Sequence, residues 1–100
     1  MNIVQVKNGK VELRKDNGLL LRTIVSSGAI NACINADGSL ILVTTDKGKV
    51  ELRRDNGLLL RTIVSSDAVN AVFSGKDILV TTNKGKSELR RENGLLIRRL

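Results

Sequence analysis

Three carboxylate–guanidinium sets recur along this chain: Glu12, Arg14 and Arg22, then Glu51, Arg53 and Arg61, then Glu88, Arg90 and Arg98. Two chemistries suit them. An arginine cluster can grip phosphate through paired N–H donors, and a Glu–Arg pair can tie strands into a ladder. Triplication favours the ladder, because a ligand site normally appears once whereas a structural pair repeats with the fold. Cross-strand pairs of this kind contribute about 0.2–1 kcal/mol each. A second set is all lysine: Lys7, Lys10, Lys47, Lys49, Lys84 and Lys86, each within two residues of a glycine. Lysine point charges suit phosphate without base specificity. Their plainer reading is as solvated residues flanking turns, which also keep a repeat protein soluble. Cys33 falls where the next repeat has Val72, so it reads as a small core hydrophobe. The chain has no histidine, the commonest general base, and one cysteine, so a metal site lacks ligands. No glycine-rich phosphate-loop signature is present. The residues thus name no catalytic, cofactor or metal position, and an enzyme ranks third among the readings.

The elements that must position these residues are copies of one unit. Gly9 through Ser27 matches Gly48 through Ser66 at 18 of 19 positions, Lys15 against Arg54 being the exception. A third, shorter copy starts at Gly85, so the spacing is 39 and then 37 residues. A period near 40 marks an array of one supersecondary unit that cannot bury its apolar surface alone. The apolar residues alternate or run in short β-branched blocks, without a helical period. In the last copy Ala68–Phe73 reads as one strand, Asp77–Thr82 as the next, Lys86–Arg90 as the third and Leu95–Arg98 as the fourth. The Asn-Gly pairs at 17–18, 56–57 and 93–94 read as hairpin turns, since both residues tolerate positive φ. Repeating the pattern predicts an all-β chain of eleven strands in four-stranded antiparallel meanders. Ala29–Asn35 and Ala68–Phe73 are expected innermost and dry, with Leu40–Val43 and Ile78–Val80 covered on both faces and the outer strands partly wet.

The run Val-Asn-Ala-Val-Phe-Ser, then Asp-Ile-Leu-Val-Thr-Thr, Lys-Gly-Lys-x-Glu-Leu-Arg and Asn-Gly-Leu-Leu-x-Arg resembles a β-propeller blade of the WD40-like type. Small bacterial and phage-encoded blade-repeat proteins look similar. The family's Gly-His and Trp-Asp dipeptides are absent, so no partner or binding residue comes with the resemblance. What it implies is a single segment over residues 1–100, with a partial first blade at 1–27, a second at 28–66 and a third at 67–100. The first blade lacks its innermost strand. Closed propellers have about four to eight blades, so about three per chain implies homo-oligomerisation, two chains giving six blades as a homodimer.

Turns alternate between the two ends of a meander, which gathers Lys7, Lys10, Lys47, Lys49, Lys84 and Lys86 on one face, with Ser26, Ser27, Ser65 and Ser66 nearby. The net charge of +7 is therefore uneven, and this face is the candidate for an anionic ligand or nucleic acid. Phe73 is the lone aromatic, which removes the stacking platforms that single strands and sugars use. The first functional reading is a homo-oligomeric, non-enzymatic binding or scaffold module; the alternative is nucleic-acid or nucleotide binding. No stretch approaches the roughly 20 apolar residues that span a bilayer, and no leader pattern opens the chain, so the expectation is cytoplasmic, without a membrane partner.

Overall fold

A computed structural model of the chain describes all of residues 1–100, and every regular element in it is a strand. The strands are β1 (Asn2–Lys7), β2 (Lys10–Lys15), β3 (Leu20–Val25), β4 (Ala29–Ile34), β5 (Leu40–Thr45), β6 (Val50–Arg54), β7 (Leu59–Val64), β8 (Ala68–Ser74), β9 (Asp77–Thr82), β10 (Ser87–Arg90) and β11 (Leu96–Arg99). They form three sheets in the orders β1-β2-β3, β4-β5-β6-β7 and β8-β9-β10-β11. Each strand pairs antiparallel with its neighbour in sequence. The expected meanders are present. So is the gap: the first sheet has no counterpart of β4 or β8.

The turns work differently from the sequence expectation. Asn17, Asn56 and Asn93 do not take positive φ; only the following glycines do, at 93°, 91° and 89°. Each asparagine instead accepts an N–H from two residues on: Leu19 N to Asn17 Oδ1 at 3.0 Å, Leu58 N to Asn56 Oδ1 and Leu95 N to Asn93 Oδ1 at 2.9 Å. The side-chain oxygen mimics a backbone turn, so the asparagine need not be left-handed. The two-residue hairpin with both φ positive is Asn8-Gly9 (53° and 79°), between the paired Lys7 and Lys10.

The sheets stack in chain order. Contact between sheets is richest along the inner strands, β1 with β4 and both β4 and β5 with β8, and backbone also meets further out, at Gly57 on Ile24 and Gly94 on Ile63. Two apolar cores fill the joints. The first holds Val11, Leu13 and Ile24 with Ala29, Ile41 and Val43. The second holds Leu42, Val50, Leu52 and Ile63 with Ala68, Ala71, Ile78 and Val80. Strand alternation explains the split: Ile41 and Val43 project to one face of β5 and Leu42 to the other.

The gradient of dryness departs from the expectation in two respects. Leu79, between the buried Ile78 and Val80, is only half-buried, because the third sheet has a neighbour on one face. The innermost strands, moreover, are not the driest. The second strand is the driest, with Ile41, Leu42 and Val43 all 0% exposed, whereas Ile30 on β4 is 50% and Val69 on β8 43% exposed. The cause is a bulge. Register jumps from Ala29 to Asn31 and from Ala68 to Asn70, so Ile30 and Val69 have no partner opposite and turn outward.

Candidate functional site

Each Glu–Arg pair sits two residues apart on a third strand, hence on one face of its sheet. Arg14 donates from Nε and Nη2 to Glu12 Oε1 at 3.2 and 2.9 Å, and from Nη1 to the Gly18 carbonyl at 2.6 Å. Arg53 donates from Nε to Glu51 Oε1 at 3.1 Å and from Nη1 to the Gly57 carbonyl at 2.7 Å, with Nη2 ion-paired to the same carboxylate oxygen at 3.0 Å. Arg90 makes the same two bonds, Nε to Glu88 Oε1 at 3.1 Å and Nη1 to the Gly94 carbonyl at 2.7 Å, and the same Nη2 ion pair at 3.0 Å. The planar guanidinium suits this double duty, because its donors point in fixed directions toward carboxylate and carbonyl together. Each turn is thus tied to its own strand, and each of these guanidiniums is already committed to a carboxylate and a carbonyl.

Arg22 and Arg61 leave that constellation. Arg22 Nη1 donates to the Asn56 carbonyl at 3.4 Å and Arg61 Nη1 to the Asn93 carbonyl at 3.2 Å, each in the next sheet. Arg98 holds the same position, opposite Leu89 as Arg22 is opposite Leu13 and Arg61 opposite Leu52, but has no further sheet to reach. In the first two sets the third member is therefore an inter-sheet tie.

The six lysines flank equivalent turns, between β1 and β2, between β5 and β6 and between β9 and β10. Backbone bonds stitch the sheets together there: Ala29 N to Gly9 O at 2.9 Å, Asp46 N to Gly28 O at 2.7 Å, Ala68 N to Gly48 O at 3.0 Å and Asn83 N to Asp67 O at 2.7 Å. Gly48 is held by more than its φ of 80°. A Cβ there would lie 2.5 Å from the Asp67 amide nitrogen, so the inter-sheet crossing packs directly on its backbone. None of the six lysines is in a salt bridge. Lys84 and Lys86 open onto a cleft of about 700 Å³ between the second and third sheets, with Ser65, Ser66, Arg90 and Arg99 in its walls. Lys7, Lys10, Lys47 and Lys49 do not line it. The cleft is predominantly polar and basic, with Asp67 and Glu88 as its carboxylates.

Cys33 lies half-buried beside the third sheet, its Sγ donating to the Ala71 carbonyl at 3.4 Å. Burial pushes the thiol above its ordinary range, and backbone hydrogen bonds to Phe73 and Leu42 offset this only in part. It is held as a neutral thiol and packs with the second core.

One pair of residues carried no role in the sequence reading. Asn31 Nδ2 donates to Asn70 Oδ1 across the joint, and each asparagine accepts the N–H of its successor at 2.9 Å. The signal was present: each is the single polar residue near the start of an apolar inner strand, and they are 39 residues apart. Their bulges aim both amides across the joint.

Residues 1–63 of the chain match the family model described as Helicobacter pylori IceA2 protein. No curated protein matches the chain significantly.

Proposed function

This chain belongs to the IceA2 family, and we propose that it is a non-enzymatic binding and scaffold module whose sheets act as propeller blades, completed by a second copy of the chain. The observation that supports this is a joint built twice. Each joint has an arginine on a carbonyl of the next sheet and an apolar core of the same pattern. Contact concentrated along the inner strands fits a radial arrangement, and six blades fall within the range in which propellers close, about four to eight. Apolar side chains on the outward faces, Ile3 at 44% and Val72 at 38% exposed, fit surfaces awaiting a partner. Light scattering on a sizing column is the test. The expected mass is twice 10.9 kDa. A folded monomer at every concentration refutes the reading.

The basic cleft favours a second reading, capture of an anionic ligand or nucleic acid. Lys84, Lys86 and Arg99, none of them in a salt bridge, line the cleft beside hydroxyl donors, a setting for phosphate oxygens. Retention on nucleic acid should then weaken steeply with salt and vanish when Lys84, Lys86 and Arg99 are all made glutamine. Binding indifferent to ionic strength rules this reading out.

A further inference from the structure

We propose that copies of this chain join head to tail: the outward face of the third sheet docks on the outward face of the first sheet of another copy, with Ser87 meeting Gln5. The inference rests on the self-association reading and adds which surfaces meet.

The register makes positions comparable between sheets. Ile3, Ile41 and Ile78 stand opposite Arg14, Arg53 and Arg90, and Gln5, Val43 and Val80 stand opposite Glu12, Glu51 and Glu88. Val11, Val50 and Ser87 each precede that glutamate. Inside the chain, Val11 shares the first core with Val43, and Val50 shares the second core with Val80; all four are 0% exposed. In the joint between copies the same two positions are Ser87 and Gln5. Both valines of the internal pattern are replaced by polar residues, and both replacements fall on the outward faces. A serine hydroxyl and a carboxamide can satisfy each other, whereas either one facing a valine leaves a buried polar group unpaired.

The remaining parts of the joint are also divided between the two faces. Arg98 takes the place of Arg22 and Arg61. The Asn17 carbonyl takes the place of those of Asn56 and Asn93, which receive the internal arginines. Gly57 and Gly94 seat on the carbonyls of Ile24 and Ile63, where a Cβ would lie 3.6 and 3.4 Å away, whereas Gly18 has nothing within 4 Å. One face holds the donor half and the other the acceptor half. Pairing like with like would set Arg98 against Arg98, so the contact is heterologous, and a ring of two closes it.

Two blocked variants decide the matter. Ile3→Arg alters only the first sheet's outward face, and Leu89→Arg only the third's. Each alone should be a folded monomer by circular dichroism and light scattering, while an equimolar mixture should form a one-to-one pair through the two intact faces. Self-association by either variant at wild-type strength overturns the head-to-tail arrangement while leaving the assembly reading intact; a monomeric wild type overturns both. If Leu89→Arg does not fold, Arg98→Glu at the exposed strand end replaces it. Gln5→Val alone should weaken association about tenfold, the equivalent of 1.4 kcal/mol, and adding Ser87→Val should restore it. Failure of the double variant to recover overturns the Ser87–Gln5 contact.

Discussion

The second and third sheets differ little in sequence along their middle strands, yet Leu42 and Leu52 are 0% and 4% exposed while their counterparts Leu79 and Leu89 are only half-buried. Register is the same in both: Leu42 opposite Leu52, Leu79 opposite Leu89. What differs is the neighbour. The second sheet has one on each face, and the third only on one. Burial in this architecture belongs to the joint, so a residue's contribution is set by its place in the stack before its identity.

Mutations at matched positions test that difference. Leu42→Ala should cost about 2–5 kcal/mol, as for other fully buried leucines. Leu89→Ala should cost well under that in dilute protein, and approach it only where copies associate. Urea midpoints measured at low and high protein concentration give both values. Equal costs when dilute would mean that the third sheet is covered without a partner. A second pair separates backbone conformation from close approach. Gly48 and Gly85 have φ of 80° and 74°, but only Gly48 has an atom within 4 Å of its Cβ position. Gly85→Ala should cost about 1 kcal/mol for the left-handed backbone. Gly48→Ala should cost about 1–3 kcal/mol beyond that, since the Asp67 backbone must move.

The clamps should differ less. Glu51→Gln removes the charge that holds Arg53 and should cost about 1.5 kcal/mol. Glu88→Gln should cost somewhat less, its carboxylate being more exposed at 18% against 12%. Thermal denaturation with and without added salt reads both. The smallest effect is on the alkaline side. Because burial raises the Cys33 pKa above its unfolded value of 9.0, the thiol's contribution is fully present below that value and is lost as pH rises through the folded one. Cys33→Val should flatten that decline. Maleimide should label native Cys33 slowly at neutral pH and rapidly in urea.

Much of the fold was legible because the signals were local and repeated three times. Turn glycines and short β-branched runs defined the strands, and the repeat placed the six lysines beside equivalent turns. The destinations of particular side chains were not legible. Arg22 and Arg14 lie in the same repeat, but one crosses to the next sheet and the other folds back on its own turn. That depends on how sheets stack, which no residue spacing encodes. The Asn31–Asn70 contact needed both a bulge and a joint, and the bulge left no mark except an apolar residue that faces outward. The basic cleft depends on the spacing between two sheets, so the lysine pattern alone could not say which joint holds it.

Because every strand pairs only with its neighbour in sequence, each copy can complete its hydrogen-bond ladder before any distant segment arrives, which makes early folding fast. Near-identity of the copies then becomes a hazard during docking. A hairpin from one repeat fits the slot meant for another, in its own molecule or in an adjacent one, with nearly the same contacts. Such exchanged forms are characteristic failures of repeat proteins. The few positions where the copies have diverged are what give correct docking its kinetic advantage.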